Sequence, residues 1–112
     1  MRDKSVPRPL RKSEYEIFFA STQAEKGWRD LVATRKSDAV FAWDFLTASP
    51  EAYTPHSYRL KAELSTVTRD GVSYDRWQLK PSLAGGARIW YFIAGGRVYL
   101  EAVHTAHPNQ TK

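Results

Sequence analysis

The most regular pattern of the sequence lies in its second half, where apolar and polar residues alternate along three short segments. These segments are Tyr58–Leu64, Arg76–Lys80 and Arg88–Ile93. A two-residue period gives a segment one apolar and one polar face, which is typical of antiparallel strands. A further segment follows Gly95-Gly96, a pair that indicates a tight hairpin. We expect adjacent antiparallel strands with Leu60, Trp77 and Ile89 on one buried face.

The first half of the chain carries a strand pattern and then a helical pattern. Tyr15–Phe19 has the composition of a strand. Ser21-Thr22 then offers a helix cap, with Glu25 three residues after Thr22 as in a capping box. An apolar stripe with helical spacing follows, made of Ala24, Trp28, Leu31 and Val32.

A second helical pattern follows after a short link, which predicts a helical hairpin. Ser37 or Asp38 can cap a helix over Ala39–Ala48, and Pro50 lies just beyond its end. We expect Trp43 on this helix to pack against the sheet together with Trp28 and Leu31 of the first helix. The predicted class is therefore α+β: an N-terminal strand, an αα-hairpin, then a twisted, mainly antiparallel sheet of three to four further strands with the helices on one face.

Composition sets the broad class of the protein. The chain has 112 residues, a net charge of +5 and no cysteine, which favours a single domain, here residues 14–112, without disulfides or thiolate metal sites. Residues 1–13 are basic and weakly hydrophobic, as in a flexible tail. No apolar run approaches the ~20 residues of a membrane span. The N-terminus does not resemble a secretory signal, so we expect a cytoplasmic protein.

The polar face of the predicted sheet is strongly basic. It collects Arg59, Lys61, Arg76, Lys80 and Arg88, with Trp90 among them. Only Glu63 interrupts these cations, so the face can either bind phosphate or be charged merely for solubility. Trp90 and Phe92 can either stack on splayed bases, as in single-stranded RNA recognition, or form a second small core.

Two histidines near the C-terminus are the candidates for proton transfer, because the side-chain pKa of histidine lies near neutrality. Strict alternation places His104 on the core side, unless the strand breaks first, whereas His107 stands beside Pro108 and outside the ladder. A His-x-x-His pair can also bind a metal, but only His56 is available as a third ligand. We therefore expect neither a metal nor another cofactor.

The ordered set of segments resembles the RelE/ParE superfamily of type II toxins. The similar stretches are Tyr58–Lys61, Arg76–Lys80, Ala87–Phe92 and, for the RelE-like branch, Val103–Asn109. This resemblance implies a ribosome-dependent mRNA endonuclease that works without metal, by attack of the 2′-hydroxyl on the adjacent phosphate, and that a cognate antitoxin neutralises. It also implies a phosphate-stabilising role for Arg88, matches Arg76 to a lysine-bearing position in the preceding strand, and places His107 near the scissile phosphate. Gln78 and Ala62 depart from the family pattern.

These observations define the candidate sites. The candidate catalytic residues are Arg88, His107, His104, Lys80 and Arg76. The candidate RNA-binding residues are Arg59, Lys61, Trp90 and Lys112. The expected partners are an antitoxin, the ribosome and mRNA, with no membrane. The alternatives are a non-catalytic, ParE-like inhibitor of DNA gyrase and a non-toxic RNA-binding module.

Overall fold

The computed structural model describes residues 14–106, which form two α-helices and seven strands. In chain order these are β1 (Glu16–Phe19), α1 (Thr22–Thr34), α2 (Lys36–Ala48), β2 (Ser57–Arg59), β3 (Thr66–Arg69), β4 (Val72–Asp75), β5 (Trp77–Leu79), β6 (Arg88–Ala94) and β7 (Arg97–His104). The predicted tail over residues 1–13, together with His107 and Lys112, lies outside the described residues. In the described part of the chain, no helix is long and apolar enough to cross a membrane.

Five of these strands form one sheet in the order β1-β7-β6-β5-β2. β1 runs parallel to β7, and the other neighbouring strands are antiparallel. The β6–β7 turn lies at Gly95-Gly96, as predicted, and Gly95 has a positive φ of 63°. This arrangement confirms the α+β class with an N-terminal strand, a helical hairpin and a mainly antiparallel sheet.

The core lies between the helical hairpin and one face of the sheet, which we call the helix face. The sheet contributes Trp77, Leu79, Ile89, Tyr91, Val98, Leu100 and Val103, and the helices contribute Ala24, Leu31, Ala39, Ala42 and Leu46. Trp28 is partly buried against this core, as expected. The expectation for Trp43 is wrong, because its side chain is 51% exposed. Ala39, Ala42 and Leu46 form the buried stripe of α2, so Trp43 lies at its flank.

The prediction for Tyr58–Leu64 is wrong beyond Arg59, where β2 ends. Ala62 has a positive φ of 55° and begins a short 3₁₀ helix, Ala62–Leu64, which breaks the apparent alternation. The register pairs Tyr58 with Gln78 and Arg59 with Trp77. Because paired residues share a face, Tyr58 lies on the face of the sheet that is turned away from the helices. Leu60 comes after the end of β2 and does not join Trp77 and Ile89 on the helix face.

A second, two-stranded sheet, β3–β4, was not predicted as a separate element. Its turn is the Asp70-Gly71 pair, whose φ angles of 52° and 80° suit a primed hairpin turn. This hairpin folds over the face of the main sheet that the helices leave uncovered, which we call the open face. The ring of Tyr74 stacks on Phe92 there, with 4.9 Å between centroids.

The start of α1 is fixed to the end of β7 by side-chain and backbone contacts. The Ser21 hydroxyl donates to the Glu101 carbonyl at 2.7 Å and caps α1 by accepting from the Ala24 N–H. The Gln23 amide donates to the Val103 carbonyl and accepts from the Val103 N–H, at 2.8 and 3.0 Å. One turn later, Gly27 lies directly against the same carbonyl. A Cβ at that position would stand 2.0 Å from the Val103 oxygen.

We predict that Gly27→Ala destabilises the fold. Alanine gains about 0.5–1 kcal/mol of helix propensity over glycine. Its methyl group must, however, displace α1 from β7, at an overpacking cost of about 1–3 kcal/mol. Urea unfolding should show a lower midpoint for Gly27→Ala, while Lys26→Ala at the exposed neighbouring position leaves it nearly unchanged. An equal or higher midpoint for Gly27→Ala would show that this contact does not limit the packing.

Candidate functional site

An irregularity between β6 and β7 decides which side chains reach the open face. The register pairs Tyr91 with Leu100 but Trp90 with Ala102, so Glu101 is an extra residue on β7. Such a bulge re-aims the side chains that follow it. Beyond the bulge, Val103 is buried in the core and His104 turns to the open face. The core-side position that strict alternation gives His104 is therefore wrong.

The bulge brings three predicted catalytic residues into one row across the open face. His104 is paired directly with Arg88, and residues paired in this way have Cβ atoms about 4.5–5.5 Å apart. Leu79 is paired with Ile89 in antiparallel strands, so Lys80, which follows Leu79, lies beside Arg88, which precedes Ile89. We call Lys80, Arg88 and His104 the basic row. The row combines two cations with an imidazole.

The Arg88 guanidinium is held by backbone carbonyls. One terminal nitrogen, Nη1, donates to the carbonyls of Gly85 and Ala87 at 3.1 and 2.8 Å. Within residues 14–106, the ion pairs use Arg29, Arg59 and Arg76 and leave the charge of Arg88 without a carboxylate. Its Nε and Nη2 groups are therefore suited to a phosphate, because arginine presents a planar fork of donors.

His104 is partly buried beside Arg88. Burial lowers the pKa of its imidazole below the ordinary value, because desolvation disfavours the charged form. His104 is therefore neutral at pH 7, with a ring nitrogen able to accept a proton. This is the protonation state that a general base requires.

A second row contains the tryptophan that was considered as a platform for bases. The Gln78 amide donates to the Tyr58 hydroxyl at 2.8 Å and accepts from the Trp90 indole N–H at 2.7 Å. The Arg76 guanidinium lies over the indole, with 5.5 Å from its Cζ to the ring centroid. Trp90 is only 7% exposed, so it belongs to a small core on the open face and offers no free surface for stacking.

Arg76 and Lys80 differ in how their charges are held. Arg76 forms a two-point ion pair with Glu101, at 2.9 and 3.1 Å, so its charge is largely neutralised within the fold. Lys80 places its Nζ 5.4 Å from the centroid of the Tyr58 ring, where a cation–π contact leaves the charge available. Lys80 is thus the better placed of the two to meet a phosphate.

The structure separates Arg59 from the basic row. Arg59 is in register with Trp77 on the helix face, forms an ion pair with Asp75 at 2.9 Å, and donates a hydrogen bond to Tyr53. The prediction that it shares a face with Arg88 is therefore wrong, because β2 lies one residue out of the expected register. Lys61 follows β2 and lines an open cavity of about 770 Å³ together with Tyr58.

Three polar residues of this region were missed by the sequence reasoning. Glu101 looked like an ordinary strand residue, and Gln78 was noted only as a departure from a family pattern. Gln23 was not singled out in the sequence. A polar residue between two core positions, as Gln78 is between Trp77 and Leu79, is a usable signal for a hydrogen-bonded position on the opposite face. His56 is occupied elsewhere, with Nδ1 2.8 Å from the Lys80 carbonyl.

Comparison of the sequence with protein-family models and with curated proteins finds no match. Comparison of the fold with solved structures does find similar proteins. The YoeB dimer from Staphylococcus aureus has a TM-score of 0.57 at 12% sequence identity, over 81% of this chain and 95% of that chain. YoeB is a toxin of the RelE superfamily. The chain has the RelE-like fold.

A second structure with the RelE-like fold gives the same picture. It is the heterotetrameric YoeB-YefM toxin-antitoxin complex from Staphylococcus aureus, with a TM-score of 0.56 at 12% identity. The match covers 80% of this chain and 94% of that chain. The order of elements that suggested the resemblance in the sequence is therefore also the order found in three dimensions.

We predict that His104 makes the stability of this RelE-like fold depend on pH. The pKa of His104 is lowered in the folded state, whereas it is about 6.5 in the unfolded chain. The unfolded state therefore binds more protons below about pH 6.5, and stability falls as the pH drops from there toward the folded-state pKa. The contribution is constant above that window.

The variant His104→Gln isolates this contribution, because its side chain does not titrate. Urea unfolding at about pH 8 and about pH 5 compares the stability on the two sides of the unfolded-chain pKa of about 6.5. The wild type should lose more stability between the two than the variant does. Equal losses would mean that the pKa of His104 is the same in both states.

Proposed function

We propose that this chain is the toxin of a type II toxin-antitoxin system and that it cuts mRNA on the ribosome. The observation that carries the proposal is the basic row, where Lys80, Arg88 and His104 stand side by side on an open sheet face. The RelE-like fold, found in the YoeB toxin, supports the same conclusion. A surface that served only to bind RNA would need the cations but not a neutral imidazole between strands.

The chemistry we assign to the basic row is transfer of a phosphoryl group within the RNA strand. The 2′-oxygen attacks the adjacent phosphorus and the bond to the 5′-oxygen breaks, which leaves a 2′,3′-cyclic phosphate and a 5′-hydroxyl. A base must take the proton of the 2′-hydroxyl, an acid must protonate the departing oxygen, and cations must stabilise the phosphorane. His104 is the proposed base. Arg88 and Lys80 are the proposed cations.

The remaining candidates take supporting roles in this proposal. His107 is the proposed acid, at a position outside the described residues. Arg76 is proposed as a positioning residue, because its ion pair with Glu101 and its contact with Trp90 hold the side chains next to the basic row in place. Lys61, Lys112 and Arg59 remain predicted RNA contacts.

The proposed partners follow from the same reading. The YoeB toxin was solved together with YefM in a toxin-antitoxin complex. We propose a cognate antitoxin for this chain as well, which neutralises it until the antitoxin is lost. The ribosome and its bound message are the proposed targets in the cytoplasm.

We predict that Arg88→Ala abolishes cleavage of ribosome-bound mRNA while the protein stays folded. Arg88 points away from the core, so its removal leaves no core cavity, and the phosphorane loses its nearest cation. Arg88→Gln separates charge from structure, because its amide can still donate to the carbonyls of Gly85 and Ala87. Single-turnover cleavage on programmed ribosomes should fail for both variants and persist for Arg29→Gln, at an exposed position of α1. Cleavage at the wild-type rate by folded Arg88→Gln would remove Arg88 from the site.

We predict that His104→Ala lowers the cleavage rate by about 10²–10⁴-fold, the usual cost of losing a general acid or base. RNA affinity should change far less, because a neutral imidazole contributes little to phosphate binding. His107→Ala should give a loss of similar size if it supplies the acid. A gyrase supercoiling assay runs alongside. Normal cleavage by His104→Ala would exclude it as the base, and gyrase inhibition without any RNA cleavage would favour the ParE-like alternative.

A further inference from the structure

The open face carries a stack of four aromatic rings beyond the basic row. Phe18 of β1, Tyr99 of β7 and Phe92 of β6 lie in register across three strands, and Tyr74 of the β3–β4 hairpin continues the stack. Neighbouring centroids are 5.6, 5.2 and 4.9 Å apart, and the planes are within 28° of parallel. We call these four residues the ring stack.

Two arginines lie on the ring stack. The Cζ of Arg69 is 5.1 Å from the Tyr99 centroid and 5.9 Å from the Phe92 centroid. The Cζ of Arg97 is 5.1 Å from the Phe18 centroid. Contacts of this kind hold a guanidinium in place by the negative face of the ring and leave its N–H edge free for other acceptors.

The charges of these arginines are not cancelled by ion pairs in the way that those of Arg59 and Arg76 are. The ion pairs found among residues 14–106 do not include Arg69 or Arg97. A hydrogen bond with Tyr99 raises the pKa of Arg97, and the carboxylate of Glu16, its register partner on β1, raises it further, so Arg97 stays charged beside one acidic neighbour. The ring stack is therefore a rigid base that presents two positive charges on the open face.

The ring stack and the basic row lie on the same strand and the same face. Arg88 and Phe92 both point to the open face of β6 and are four residues apart, which corresponds to about 14 Å. An RNA strand held in the basic row can therefore continue along β6 toward the ring stack. Trp90 and Arg76 lie between them, and the β3–β4 hairpin covers Phe92, so a strand that follows this path passes over these side chains and the hairpin.

We propose that Arg69 and Arg97 form a second phosphate-binding site. It holds single-stranded RNA on the same open face, at the end of β6 that is farther from the site of cleavage. This proposal rests on the proposed function, since it extends the same RNA path. The rings stack on one another and carry guanidinium groups, so they leave little room for bases. Contact with RNA is then made through backbone phosphates, which position a strand without reading its sequence.

The test compares two double variants that lose the same charge. One is Arg69→Gln with Arg97→Gln. The control is Arg29→Gln with Arg35→Gln, two exposed arginines at α1 and the link that follows it. The probe is a short uridine oligonucleotide with methylated 2′-oxygens, which binds but lacks the attacking hydroxyl. Its dissociation constant is measured for the full chain at several salt concentrations.

Each phosphate contact with a single strand contributes about 0.7 to the slope of log K against log salt, so the Arg69/Arg97 variant should lose about 1.4. The control should keep the wild-type slope. An unchanged slope for Arg69/Arg97, or an equal loss in the control, would overturn the proposal. So would a loss of binding confined to an RNA duplex tested in parallel.

Cleavage on programmed ribosomes distinguishes this proposal from the proposed function. If the wild type cuts no message but the slope falls as expected, the second phosphate site stands and the nuclease assignment fails. If the message is cut and the slope does not change, the nuclease stands and Arg69 and Arg97 are not part of the RNA path. Urea unfolding of both double variants checks that each remains folded.

Discussion

The geometry of the open face depends on how α1 completes the edge of β7. β1 ends at Phe19, so the last residues of β7 have no strand on that side. The Ser21 hydroxyl and the Gln23 amide occupy the missing positions and satisfy the backbone of Glu101 and Val103. A buried backbone group left without a hydrogen-bond partner costs about 1–3 kcal/mol. These two side chains avoid that cost by making the hydrogen bonds that a neighbouring strand would otherwise make, next to the candidate site. These hydrogen bonds hold the end of β7 in place against α1.

That support allows β7 to carry a bulge without losing its place in the core. With one extra residue at Glu101, the strand exchanges faces, so Val103 enters the core and His104 leaves it. The Val103 backbone then lies directly against Gly27 of α1, with no space for a Cβ between them. The same insertion places the Glu101 carboxylate against Arg76, and this ion pair fixes the side chains in the middle of the open face. A single residue thus sets both the proton acceptor and its surroundings.

The sequence predicts most of the fold because its signals are local. Alternation over Arg88–Ile93 and the Gly95-Gly96 turn define the central hairpin, and two apolar stripes define the helices. Arg88 and Lys80 follow from the same alternation. The wrong predictions come from structural effects that the alternation of apolar and polar residues does not reveal. Ala62 takes a left-handed conformation that only the folded context supports, and Ala102, small and apolar, suits either face of a strand, so the bulge beside it leaves no trace in the pattern.

Holding guanidinium groups over rings has a consequence for how the open face responds to its surroundings. Arginine stays protonated at every physiological pH, and a ring, unlike a carboxylate, does not neutralise it. The attraction of this face for a polyanion is therefore insensitive to acidity and weakens only as salt screens it. The imidazole in the basic row behaves in the opposite way, because its charge follows pH, and in its neutral form it contributes little to phosphate binding. In the proposed function, ionic strength and acidity thus act on separate parts of one surface, the first on how firmly an RNA strand is held and the second on its cleavage.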